Sequence, residues 1–158
     1  MIRPFRPADR DALLELTARA FDGVSLDQNI EKRFGQIAGT NWQQRKCRHI
    51  EADIAAEPQG ILVYALDGTV VGFVSTRTNY QTCIGWIPNL AVHPGHQGKG
   101  IGKKLLAAAL ERLRKNGMLY ARIETLEQNT RCLAFYPSMG FQEIGRQVHY
   151  IKPLGAGD

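Results

Sequence analysis

The stretch that most restricts the fold of this chain runs from Ile84 to Gly117. A β-rich segment, Ile84–Val92, is broken by His93-Pro94-Gly95. Gly98, Gly100 and Gly102 follow. Ile101, Leu105, Leu106, Ala109, Leu110 and Leu113 then recur at helical spacing, with Gly117 placed to stop the helix. Strand, glycine loop and amphipathic helix in this order bring a helix start to the end of a strand. Glycine lets the backbone turn sharply and approach a ligand closely. A helix start offers unpaired N–H groups and the positive end of a dipole. Lys99, Lys103 and Lys104 add full charges. The loop Gln97–Gly102 is therefore expected to cradle a phosphate or pyrophosphate. The plainer alternative is a tight turn whose glycines serve only steric ends.

Two common phosphate loops do not fit. Aligned on Gly102-Lys103, a Walker A loop needs glycine where Gln97 stands and a hydroxyl where Lys104 stands. A dinucleotide GxGxxG fingerprint begun at Gly98 ends on Lys103, and one begun at Gly100 ends on Leu105.

The charge balance agrees with an anionic ligand at this loop. The chain has 20 Lys plus Arg against 15 Asp plus Glu, a net charge of +5. Such an excess calls for nucleic acid, lipid headgroups or a phosphorylated small molecule. Six basic residues and one acidic residue lie between Gly98 and Lys115, so this segment carries the whole excess. No nucleic-acid motif is present, and aromatic residues are not interleaved with basic ones. The apolar runs are too short to span a bilayer. The N-terminal MIRPFRPADRD is charged and proline-bearing, unlike a signal peptide. Cys47, Cys83 and Cys132 are odd in number and widely spaced, which fits neither a disulfide framework nor a zinc knuckle. His93 and His96 lack a third ligand. The expectation is a single cytoplasmic domain over residues 1–158, with no metal, membrane or nucleic-acid partner.

Along the chain, Ile2–Phe5 reads as a first strand. Leu13, Leu16, Ala20 and Phe21 share a helical face. Further helices are expected near Asn29–Phe34 and from Trp42 to Glu57, with Pro58 ending the latter. Ile61–Leu66 and Val70–Thr76 form a hairpin on Asp67-Gly68. Pro88 weakens Ile84–Val92 as a regular central strand and points to a bulge or edge. Tyr120–Leu126 reads as a strand, Thr130–Met139 as a short helix and Phe141–Ile151 as one or two closing strands. This is an α/β (α+β) arrangement, a mixed sheet with helices on both faces.

With these residues in place, the chain resembles the GNAT acyltransferase superfamily. Its acetyl-CoA signature, Q/R-x-x-G-x-G/A, stands here as Gln97-Gly98-Lys99-Gly100-Ile101-Gly102, after Asn89-Leu90-Ala91-Val92-His93-Pro94. Asn129, Tyr136 and Gly140-Phe141 follow at the family's distance. The resemblance implies a mostly antiparallel central sheet of six to seven strands, splayed between the fourth and the fifth. It implies acetyl-CoA as cosubstrate, with pantetheine in the gap against Leu90, Ala91 and Val92. The backbone from Gln97 to Gly102 would hold the pyrophosphate, Lys103 would stand beside it, and Asn129 would reach the pantetheine arm. It also implies an amine acceptor, and dimers are common in the family.

Acetyl transfer from a thioester to an amine needs a base for the amine, a donor for the carbonyl oxygen and an acid for the leaving thiolate. Tyr136 occupies the family's acid position; otherwise it is a packed aromatic. The family's glutamate on the fourth strand is absent here, with Pro88 at that place. In the branch that acetylates protein N-termini, a glutamate five residues before the asparagine accepts the proton. Glu124 stands five before Asn129. Its alternatives are a surface glutamate paired with Arg122 or Arg77, and a water chain serving as base. The leading reading is an N-acetyltransferase acting by direct attack in a ternary complex. A non-catalytic acyl-CoA sensor is the alternative.

Overall fold

Asp67 and Gly68 both take positive φ, 48° and 81°, the turn geometry that follows the right-handed twist of paired strands. The turn joins β2 (Ile61–Leu66) to β3 (Thr69–Ser75), antiparallel with Val63 opposite Phe73 and a register shift after Tyr64. β1 (Ile2–Pro4) pairs with β2. Two short strands follow β3, β4 (Ile84–Trp86) and β5 (Leu90–Val92), and β5 pairs with β3. The four-stranded sheet runs β1-β2-β3-β5 and is antiparallel throughout. The computed structural model describes residues 1–155.

Helices cover both faces. α1 (Arg10–Ala20), α2 (Leu26–Phe34) and α3 (Trp42–Ala56) precede the hairpin. Leu13, Leu16 and Ile50 close one core over Ile61, Val63, Phe73 and Ala91. Asn41 caps α3: its side chain accepts from the Gln44 N–H at 2.8 Å, and Gln44 accepts from the Asn41 N–H at 2.9 Å. On the other face, α4 (Ile101–Lys115) buries Ile101, Leu105, Leu106, Ala109 and Leu113 against Val71, Val74 and Ile87. β6 (Tyr120–Arg122) and α5 (Thr130–Ser138) complete the regular elements.

The segment expected as one strand over Ile84–Val92 is two. β4 runs parallel to β6, with Trp86 opposite Arg122, and the Ile87 N–H still donates to the Arg122 carbonyl at 3.0 Å. Pro88 then has no N–H to continue the ladder, and pairing with the β6 side ends. Beyond this point Leu90–Val92 follows β3 while 123–126 runs on unpaired. The two arms therefore form a fork, which is the expected splay. The strand expected to reach Leu126 ends at Arg122 for the same reason.

The closing strands expected over Phe141–Ile151 are absent. Residues 141–155 have no regular structure, and Ile144, Val148 and Tyr150 are 94%, 75% and 93% exposed. Alternating apolar residues make a strand only where an edge pairs their N–H and C=O groups. The three-residue β6 offers little such edge, and Arg146 is held instead by Glu143 and Glu127. The described residues thus hold six short strands in two sheets, not one sheet of six to seven.

Gly85 lies at the base of the fork, pressed on α4. A Cβ there would come 2.7 Å from Leu113 Cδ2 and 3.1 Å from its Cγ. Gly85→Ala is expected to cost about 1–3 kcal/mol by overpacking, read as a lowered urea midpoint.

Candidate functional site

One arm of the fork presents main-chain groups. The Ser75 N–H donates to the Asn89 carbonyl at 2.9 Å and the His93 N–H to the Val71 carbonyl at 2.8 Å. With Ala91 opposite Phe73, the backbones of Asn89, Ala91 and His93 all face β3. Leu90 and Val92 turn theirs the other way, into the fork. The Val92 carbonyl accepts from Gln97 Nε2 at 3.1 Å. Of the three residues expected to meet pantetheine, Leu90 and Val92 turn backbone groups into the fork. Ala91 contributes buried packing and a ladder bond to Phe73.

The glycine loop continues from this arm. His93 accepts the Gly95 N–H on Nδ1 at 3.1 Å, so this histidine shapes the turn. Gly98 and Gly100 take φ of 77° and 76°, a region open mainly to glycine. α4 starts on Gly100 with no side-chain cap and no acidic residue in its first turn. The amides of Ile101, Gly102 and Lys103 are thus left to a ligand, at the positive end of the helix dipole. Lys99 Nζ donates to the Gly95 carbonyl at 3.2 Å. Lys104 lies 5.9 Å over the Tyr64 ring, turned from the loop. Arg131, which the motif did not single out, hydrogen-bonds Gln97 Oε1 and brings a further cation to the cradle. Its place two residues after Asn129 was the available signal.

The other arm and α5 carry the acid–base candidates. Asn129 caps α5, its Oδ1 accepting the Cys132 N–H at 3.3 Å. Tyr136 sits between Phe135 and Phe141, at ring separations of 5.6 and 5.9 Å. Burial chiefly, then Cys132 and the Glu124 carboxylate, push its phenol well above the ordinary range. Tyr136 therefore keeps its proton, and it shares a local field with Glu124. Glu124 accepts from Trp86 Nε1 at 2.6 Å and is paired with Arg122, whose guanidinium lies 4.7 Å from the Trp86 ring centre. Trp86 orients the carboxylate, a contact that spacing along the chain did not reveal.

α1 and α3 close the site from the face opposite α4. Gln128 donates to the Gly23 carbonyl at 2.8 Å and exchanges hydrogen bonds with Asn29, tying the α1–α2 turn to the loop before Asn129. Lys46 donates to Asn89 Oδ1 at 2.8 Å and lies 4.1 Å from the Phe21 ring centre. Burial lowers its pKa, with Asp27 and Asp53 opposing. Among the described residues, no group of three or more His, Cys, Asp or Glu side chains is placed to hold a metal ion. No described helix is long and apolar enough to cross a membrane.

Residues 24–141 match the model of the acetyltransferase (GNAT) family. The chain belongs to that family. It is 29% identical over 153 residues to a mycothiol acetyltransferase of Thermomonospora curvata, covering 96% of this chain and 47% of that protein. Over 70 residues it is 37% identical to the N-alpha-acetyltransferase RimI of Mycobacterium tuberculosis, which is 44% of this chain and 42% of that one. The chain thus spans about half the length of the mycothiol acetyltransferases it matches. The fold is similar to that of the PaiA N-acetyltransferase of Thermoplasma acidophilum, solved with coenzyme A. The TM-score is 0.72 at 23% identity, over 90% of this chain and 89% of that one.

Because folding lowers the Lys46 pKa below its ordinary 10.5, the unfolded chain binds that proton more tightly. Stability conferred by this group rises with pH up to about 10.5. Lys46→Met is expected to remove that part of the rise, measured as the pH dependence of the urea midpoint in the two proteins.

Proposed function

We propose that this chain is an N-acetyltransferase that moves an acetyl group from acetyl-CoA to a primary amine in a ternary complex. One observation carries the reading. An uncapped, glycine-rich helix start and the Leu90 and Val92 backbone turned into the fork stand beside the arm and helix that carry Glu124 and Tyr136. These residues fit coenzyme A. Positive-φ Gly98 and Gly100, with Gln97, Ile101, Gly102 and Lys103, suit a pyrophosphate, and no carboxylate lies in the first turn to repel it. Lys99 and Arg131 add charge. Leu90 and Val92 suit an extended amide-bearing arm lying like an added strand, with Ala91 packing behind them. The Asn129 amide nitrogen is left to reach the same arm.

When bound, the cosubstrate supplies an acetyl thioester. Glu124 takes a proton from the amine as its nitrogen bonds to the acetyl carbon. The Tyr136 hydroxyl donates to the sulfur as the carbon–sulfur bond breaks, so sulfur leaves as a thiol and solvent restores the phenol. The raised pKa keeps Tyr136 loaded with its proton through neutral and mildly alkaline pH. The names of the relatives point to a small molecule and to an α-amino group as acceptors, and both belong in a substrate panel.

The purified protein, given acetyl-CoA and a panel of small amines and peptide N-termini, is expected to release free thiol only with an acceptor. Tyr136→Phe is expected to lower kcat about 100-fold with CoA affinity nearly kept, and without changing the alkaline side of the pH profile. Glu124→Gln is expected to lower kcat comparably near neutral pH; full activity across pH would remove it as the base. Tight CoA binding with no turnover on any acceptor would instead support the sensor reading. Arg131→Ala is expected to weaken CoA binding roughly tenfold while sparing S-acetyl-pantetheine, which lacks the phosphates.

A further inference from the structure

We infer that Asp53 is a positioning residue for acyl transfer: buried beneath the break in the forked strand, it orients Ser75 and Asn89 so that the Leu90 N–H points into the fork. The inference rests on the proposed acetyltransferase reading for its chemistry, but its geometry stands independently.

Asp53 belongs to α3 and is 3% exposed. Its Oδ2 accepts from Ser75 Oγ at 2.7 Å and from Asn89 Nδ2 at 2.7 Å. Its Oδ1 accepts from Arg77, Nη2 at 2.6 Å and Nε at 3.2 Å. An ionised carboxylate only accepts, so every neighbour is obliged to donate to it. Ser75 spends its one hydroxyl proton on Asp53 and can then only accept from the Asn89 N–H, at 3.1 Å. Asn89 turns its Nδ2 to Asp53, so its Oδ1 faces Lys46 at 2.8 Å. The Asn89 carbonyl takes the Ser75 N–H. All four polar groups of Asn89 are thereby committed; the directions of its N–H and of both side-chain amide atoms trace back to one carboxylate, while its carbonyl is held by a main-chain bond.

The consequence appears when the main-chain donors through the break are followed in order. The Ile87 N–H goes to the Arg122 carbonyl. Pro88 has none. The Asn89 N–H goes to Ser75, and that of Ala91 faces Phe73 across the ladder. Leu90 supplies the first N–H turned into the fork. It lies where the two arms separate, with Glu124 two residues past the last paired position of the other arm. A single fixed amide at that point suits a carbonyl oxygen gaining negative charge as the amine attacks. The Leu90 N–H shares its peptide with the Asn89 carbonyl, which is held by the Ser75 N–H. Asp53 fixes the Asn89 side chain directly and the Asn89 N–H by way of Ser75 Oγ, and so holds the residue from which that peptide departs.

Two variants separate positioning from mere stability. Asp53→Asn keeps the shape but can donate as well as accept. Ser75→Ala keeps the carboxylate and deletes only the acceptor for the Asn89 N–H. Both are expected to lower kcat about 10- to 100-fold per folded molecule, with the Kd for CoA and the KM for acceptor changed little. Ser75→Thr, which retains the hydroxyl, is expected to restore kcat. Hydrogen exchange at the Asn89 amide, measured without cosubstrate, is expected to speed up at least tenfold in Ser75→Ala and to recover in Ser75→Thr. Unchanged Asn89 exchange in folded Ser75→Ala overturns the inference. So does a lowered melting temperature with unaltered kcat. If the wild-type protein transfers no acetyl group at all, the functional reading fails, and the exchange result still decides whether Asp53 and Ser75 hold the break.

Discussion

A missing hydrogen bond at Pro88 organises this molecule. Up to Ile87 the strand is paired on its β6 side, and one residue later it has no donor to continue. The two arms separate, and α5 and the glycine loop gather around the gap. A fully paired strand would close the sheet and bury Leu90 and Val92 in ladder bonds. At this point Pro88 offers no amide to carry the pairing on, and Leu90–Val92 stays with β3. The fork's open shape is held by the buried polar group behind it, in which Asp53, Ser75 and Asn89 offset one another's desolvation while Arg77 and Lys46 balance charge.

Electrostatics adds a second constraint, narrower than the sequence count implied. Six cations cluster between Gly98 and Lys115. In the fold Arg112 turns to Glu57, and Arg114 and Lys115 pair with Glu111. Lys104 leans over Tyr64. The field at the cradle comes from the helix start and Lys99, with Lys103 beside it and Arg131 arriving from α5. The net charge pointed to this region, but side-chain pairing determines which cations stay near the loop.

Much of the fold could be read in advance because it rests on local rules. The Asp67-Gly68 turn, the helix stripe of Leu105, Leu106, Ala109 and Leu113, and the stop at Gly117 depend on backbone preference and periodicity within a few residues. The closing strands could not be read this way. Residues 141–151 have the alternation of a strand, but alternation reports only which side chains would share a face; an edge elsewhere must supply the bonds. The same distinction runs through the site. Gln97–Gly102 and Tyr136 stood out by spacing. Trp86 on Glu124, Arg131 on Gln97 and Asp53 beneath Asn89 join residues 34 to 38 positions apart, and no local pattern records them.

The sequence alone determined the order of elements as far as α5, the interruption at Pro88, the glycine loop and the family resemblance, because each is written in adjacent residues whose torsions and hydrogen-bonding capacity are intrinsic. The tertiary structure alone decided how far the strands pair, which cations face the loop, what orients Glu124 and which main-chain amide is left free. Those outcomes depend on competition among distant donors and acceptors for partners, and that competition is settled only when the chain is folded.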